Sequence, residues 1–149
     1  DIYGLVGKNG AGKTTLLRMI SGLTMPSSGE IDLFNETSSQ GLNKSRMRTG
    51  AIIETPSFFS YLSARKNLEY YRIQRGIAEK DSIDYALKIV GLNDTGNKKF
   101  KNFSLGMKQR LGLALTIMSS PDMLILDEPI NGLDPTGIVE FREILLKLN

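Results

Sequence analysis

With 149 residues, 40% of them hydrophobic, and a net charge of +3, the chain can bury one core. It has no Cys, which excludes disulfides and thiolate metal sites, and no His, which excludes a Ser-His-Asp triad and His-zinc chemistry. No apolar run approaches the roughly 18 residues of a membrane helix. Lys98, Lys99 and Lys101 form a short run rather than a basic stripe, so no nucleic-acid partner is expected.

Ile2-Tyr3-Gly4-Leu5-Val6 is a short apolar run that predicts a strand. Gly7-Lys8-Asn9-Gly10-Ala11-Gly12-Lys13-Thr14 follows, and Thr15 to Ile20 predicts a helix that Gly22 stops. Strand, glycine-rich loop and helix in that order are the context in which Gly-x4-Gly-Lys-Thr is a phosphate-binding loop. Gly7, Gly10 and Gly12 let the backbone wrap closely around an anion. The N–H groups of Gly7 to Thr15 then converge at the positive end of the helix. In this motif Lys13 reaches the β- and γ-phosphates and the Thr14 hydroxyl is a ligand for Mg²⁺. The alternative is a glycine-rich turn with a chance Lys-Thr, which does not explain the flanking strand and helix.

Ser28-Gly29 predicts a turn and Glu30 to Phe34 a short strand. Asn35 to Asn43 reads as polar loop, and Lys44 to Thr49 as a short basic helix or turn. Ala51-Ile52-Ile53 is a second core strand, with Glu54 at its end. Pro56 to Tyr61 is an aromatic loop. Ser63 is an N-cap for a helix to about Arg75, closed by Gly76. A further helix runs from about Lys80 to Val90, its stripe made by Ile83, Leu87 and Val90, with Gly91 at its end.

Ser104 caps a helix to about Met118, and Gly106 leaves its first turn bare. Met123-Leu124-Ile125-Leu126 is an unbroken apolar run suited to a strand covered on both faces. It ends in Asp127 and Glu128. Asp127 would hold Mg²⁺ and Glu128 would polarise an attacking water. The plainer reading is a strand followed by an acidic turn. Asp134 caps a last helix with Pro135 at its first position. Ile138, Phe141, Leu145 and Leu148 are expected to face inward. The fold class is α/β, with the strands ending at Val6, Ile53 and Asp127 parallel and their carboxyl ends on one rim.

Three motifs in this order resemble the ATP-binding cassette (ABC) ATPases. The glycine loop and the acidic strand flank Phe103-Ser104-Leu105-Gly106-Met107, which stands where that family has Leu-Ser-Gly-Gly-Gln. Asn131-Gly132-Leu133-Asp134-Pro135 resembles the family's D-loop. The resemblance implies a P-loop NTPase core in residues 1–55 and 121–149, and a helical subdomain in about 56–120. It implies ATP and Mg²⁺ as cofactors. Lys13 and Glu128 would be catalytic, and Ser104, Gly106 and Asp134 would join Gly7 to Thr15 around nucleotide in a dimer of ATPase domains. That dimer, identical or mixed, would drive an integral membrane permease through the helical subdomain, from the cytoplasmic face of the membrane. Rival expectations are a ribosome- or DNA-associated ABC ATPase without a permease, and a non-catalytic ATP sensor.

Three departures qualify the resemblance. Glu54 stands where most of the family has a Gln that contacts Mg²⁺ and water; as a cofactor-binding candidate its carboxylate could still reach the cation, though it adds negative charge near the γ-phosphate. Leu105 and Met107 replace Gly and Gln of the signature. The chain starts at Asp1 and stops at Asn149, without the adenine-stacking aromatic and the switch His that the family places beyond these points. The expectation is a piece truncated at both ends, with little or no ATPase activity by itself. Glu54 to Phe59 with Ser104 to Arg110 resembles the bacitracin and lantibiotic branch of the family.

Overall fold

The computed structural model describes residues 1–53 and 57–149. Six α-helices and two strands are present among them: α1 (Lys13–Ile20), α2 (Ser39–Met47), β1 (Thr49–Ile52), α3 (Ala64–Gln74), α4 (Ser82–Ile89), α5 (Leu105–Ile117), β2 (Met123–Leu126) and α6 (Pro135–Leu148). β1 and β2 pair in parallel, Thr49 beside Met123 through Ile52 beside Leu126. A parallel pair needs a long crossover, and here it carries α3, α4 and α5.

The capping chemistry read from sequence sets the helix starts. Ser63 accepts from the Lys66 N–H, Ser104 from the Met107 N–H and Asp134 from the Gly137 N–H. Each frees the first turn from an orphan donor, typically about 1 kcal/mol per cap. Gly76 and Gly91 take positive φ just past α3 and α4.

The core forms around α5. Seven consecutive residues of α5, Leu111 to Ile117, are buried. Leu68 of α3, Ile83, Ala86 and Leu87 of α4, and Phe141 and Ile144 of α6 close around it in one cluster. Asn67 is buried on α3 with its amide satisfied. Its Oδ1 accepts from the Phe59 N–H at 2.8 Å and its Nδ2 donates to the Phe59 and Ser63 carbonyls. It thereby ties the segment after residue 56 to the helix.

Four expectations need correction. Ile2 to Val6 is not a strand: among the described residues the sheet holds only β1 and β2, and Tyr3 and Val6 are 88% and 94% exposed. A strand exists only through its partner's hydrogen bonds, and among the described residues this run has no neighbouring strand to exchange them with. Glu30 to Phe34 is not a strand either. Leu33 and Glu36 exchange both backbone hydrogen bonds around Phe34 and Asn35, each at positive φ. That is a tight two-residue reversal, anchored by the Ser45 hydroxyl donating to the Leu33 carbonyl. The polar stretch up to Asn43 is largely helical, because Ser38 caps α2 by accepting from the Gly41 N–H. On α6 the buried residues are Phe141 and Ile144, whereas Ile138 is 37% exposed. Ile138 sits in the first turn, before α6 reaches the core.

Gly50 marks the closest approach of the sheet to α5. A Cβ there would lie 2.6 Å from Thr116 Cγ2 and 3.0 Å from the Thr116 carbonyl oxygen. The backbone oxygen cannot swing aside. In the intact protein, Gly50→Val should cost about 1–3 kcal/mol of stability by overpacking, read as a lower urea midpoint. An unchanged midpoint would mean that β1 and α5 are less closely apposed than this geometry requires.

Candidate functional site

The glycine loop folds into the turn its composition demands. Ala11 N–H donates to the Lys8 carbonyl, and Gly10 and Gly12 take φ of 81° and 87°, where a side chain would be strained. Gly12 is the N-cap of α1, with no side chain to cap it. The first backbone N–H groups of the helix are therefore free to meet an anion. Lys13 folds back over the loop and its ammonium donates to the Gly7 and Lys8 carbonyls at 3.0 and 3.1 Å. Gly7 to Gly12 and Thr15 are exposed.

The acidic end of β2 meets this loop through one bond. The Thr14 hydroxyl donates to Asp127 Oδ2 at 2.6 Å, joining residues 113 positions apart. Asp127 is itself fixed by its N–H donating to the Ile52 carbonyl of β1 at 2.8 Å. At the far end of α1, Arg46 of α2 donates from Nε to the Ile20 carbonyl at 3.1 Å and from Nη2 to the Met19 carbonyl. A cation at a helix C-terminus is favourable for the dipole. α1 buries no residue fully, so polar ties, these among them, contribute to its placement.

Glu128 follows Asp127 with φ of 45°, an uncommon conformation for a residue with a side chain. A turn holds it there: the Asn131 N–H donates to the Glu128 carbonyl, and Asn131 Nδ2 donates to Glu128 Oε2 at 3.1 Å. Gln109 of α5 in turn donates from Nε2 to the Asn131 carbonyl at 2.9 Å. Thr14, Asp127, Glu128 and Asn131 line a cavity of about 410 Å³ together with Leu105, Lys108 and Gln109.

The structure thus unites Thr14, Asp127 and Glu128. Ser104, Gly106 and Asp134 are outside the described lining of that cavity. Ser104 and Asp134 serve as the N-caps of α5 and α6. Glu54 is outside the described residues. Gln109 and Lys108 were not singled out from sequence, although Leu105 and Gln109 are four apart and must share a helix face. Among the described residues no three acidic side chains converge into a cation cage. The adjacent Thr14 and Asp127 oxygens suit a small hard cation that takes its remaining ligands from water and phosphate, as Mg²⁺ does.

The ABC transporter pattern matches residues 1–131. The chain belongs to the ABC transporter family. It is 48% identical over 148 residues to the bacitracin transport ATP-binding protein BcrA of Enterococcus faecalis, covering 99% of this chain and 48% of that protein. It is 44% identical to the lantibiotic transport ATP-binding protein SrtF of Streptococcus pyogenes, covering 97% of this chain and 61% of the other. Among solved structures, cbiO1 of Clostridium perfringens, part of the ABC transporter complex cbiONQ, superposes with a TM-score of 0.83. That match has 32% identity over 96% of this chain and 60% of cbiO1. The chain spans about half the length of the BcrA proteins it matches.

These ABC neighbours share the parallel-sheet P-loop fold, and the expected fold class stands. No described helix is long and apolar enough to cross a membrane. Because Thr14 is bonded directly to the Asp127 carboxylate, removing its hydroxyl should be felt before any ligand is added. Thr14→Val is expected to lower the stability of the intact protein by about 1.5–3 kcal/mol, the usual range for a hydrogen bond to a charged group. A urea titration that overlays the parent protein would show that the tie between loop and strand contributes nothing.

Proposed function

We propose that this chain is the ATP-binding and ATP-hydrolysing part of an ABC transporter that exports peptide antibiotics. The observation that carries the reading is the 2.6 Å bond from the Thr14 hydroxyl to Asp127. It brings the end of a phosphate-binding loop against the acidic end of a core strand, with Glu128 lining the same cavity. The peptide-antibiotic branch is supported by relatives named for bacitracin and lantibiotic transport.

In this reading the loop amides from Gly7 to Thr15 hold the phosphates of ATP. Lys13 leaves the Gly7 and Lys8 carbonyls for the terminal phosphates and neutralises their charge. Thr14 and Asp127 hold Mg²⁺, which supplies further charge neutralisation at the phosphates when bound. Glu128 takes the proton of the attacking water and orients its lone pair. The exposed loop positions keep the site open to a second ATPase domain, identical or not. Ser104, Gly106 and Asp134, outside the cavity that Thr14 lines, would then act on the nucleotide of that second domain. Residues 56–120 would form the helical subdomain that meets an integral membrane permease, on the cytoplasmic face of the membrane. Residues 1–55 and 121–149 would form the nucleotide core.

Two substitutions in the intact protein test this. Lys13→Ala should weaken ATP binding at least tenfold, about 1.4 kcal/mol; calorimetry showing unchanged affinity would remove the loop from the site. Glu128→Gln keeps shape and hydrogen bonding but loses the base. ATP binding should persist while turnover falls roughly 10²-fold, and an ATP-dependent dimer should accumulate in size-exclusion chromatography. Near-normal hydrolysis by that variant would assign the base to another residue.

A further inference from the structure

The three-residue chain behind Glu128, joined by two hydrogen bonds, has a direction. Glu128 is exposed and sits in an uncommon backbone conformation, so its carboxylate has no packing of its own to aim it. Its Oε2 is held by Asn131 Nδ2 at 3.1 Å. Asn131 is also exposed, and its backbone is anchored by Gln109 Nε2 at 2.9 Å. Gln109 belongs to α5, whose second half is wholly buried. The links run from a rigid helix, through a turn, to a mobile type of side chain.

Two neighbouring contacts fix the same loop on the same helix end. Leu105 Cδ2 lies 3.1 Å from where a Cβ on Gly132 would be, and Leu133 Cδ2 lies 3.4 Å from the corresponding point on Gly106. Leu105 and Gln109 are one turn apart on α5; Leu105 lies over Gly132 and Gln109 bonds Asn131. The amide of Gln109 is not a packing choice. Its Oε1 is buried with no hydrogen-bond partner among the described residues. An unpartnered buried acceptor costs free energy that an apolar side chain of the same size would avoid. What the amide contributes is the donor to Asn131.

We propose that Gln109 is a positioning residue for Glu128, acting through Asn131. Gln109 holds the 128–131 turn at the height where the Asn131 amide meets the Glu128 carboxylate. The carboxylate then faces the cavity it shares with Thr14 and Asp127, rather than rotating into solvent. Neither Gln109 nor Asn131 touches the reacting atoms. This inference rests on Glu128 being the base proposed above.

The test uses the intact protein, with steady-state ATPase kinetics and ATP affinity by calorimetry. Gln109→Met keeps length and volume and removes the donor. Its kcat should fall about tenfold or more, the scale of losing an outer-shell partner, while KM and ATP affinity stay within about twofold. Asn131→Ala, at an exposed position, should reproduce the same split. The double variant should be no slower than the slower single variant, because both act through one path. A parent-like kcat in Gln109→Met, an equal fall in kcat and affinity, or additive losses in the double variant would each overturn the proposal. Glu128→Gln is measured beside them. If it is slow while Gln109→Met is parent-like, the positioning role fails and the base assignment stands. If Glu128→Gln hydrolyses normally, the base assignment fails, and the positioning role with it.

Discussion

Burial of α5 is the constraint on which the rest of the structure depends. Leu111 to Ile117 are buried on every side, the mark of a helix enclosed by its neighbours rather than laid on a surface. α3 and α4 cover one flank, while Gly50 of β1 comes against Thr116 on another. Because β1 is pressed onto α5 and β2 is paired in register with β1, the end of β2 is fixed relative to the first turn of α5. Asp127 and Glu128 therefore emerge beside Leu105 and Gln109 as a consequence of core packing. The chemistry sits on loops, and its coordinates are set by apolar contacts one or two turns away.

The glycine loop is placed by a different kind of force. α1 buries no residue fully, and the run before the loop is exposed. Among its ties to the rest are the Thr14 hydroxyl on Asp127 at one end and Arg46 on the Met19 and Ile20 carbonyls at the other. Polar ties to charged groups contribute about 1.5–3 kcal/mol each, against about 2–5 for a packed Leu, Ile or Met side chain. Segments held this way lie at the low end of a protein's local stability, where ligand-binding loops are usually drawn from. A small distortion of α2 would be felt at the phosphate loop through Arg46, although Arg46 is outside the candidate site.

What was legible in the sequence was what local chemistry determines. Ser63, Ser104 and Asp134 cap helices because a short side-chain acceptor three residues before a free N–H needs no distant partner. The 123–126 strand and the glycine loop were legible for the same reason. What failed depended on partners. Ile2 to Val6 has strand composition but, among the described residues, no strand beside it, and Glu30 to Phe34 closes into a reversal at Phe34 and Asn35. Ile138 carries the right period but lies before α6 meets the core, so period was correct and position was not. At the site, Thr14 and Asp127 were readable from their motifs. The Gln109 to Asn131 link was not, because it is a bond from a side chain to a backbone carbonyl, and such an acceptor leaves no trace in residue identity.

The departure at Leu105 illustrates how such a change is absorbed. A leucine where the family signature has glycine adds a large side chain to the first turn of α5, and it remains 50% exposed. Its Cδ2 occupies space directly over Gly132, which also holds a φ of 77°. Gly132 is constrained by its backbone angle, and a side chain there would also have to displace the end of Leu105 by a few tenths of an ångström. Reverting position 105 to glycine would relieve only the second constraint, while stripping the 128–133 loop of an apolar contact on α5. The leucine is best understood as one part of a matched pair with Gly132. Its effect on nucleotide chemistry would then run through the loop it seats as well as through any contact it makes itself.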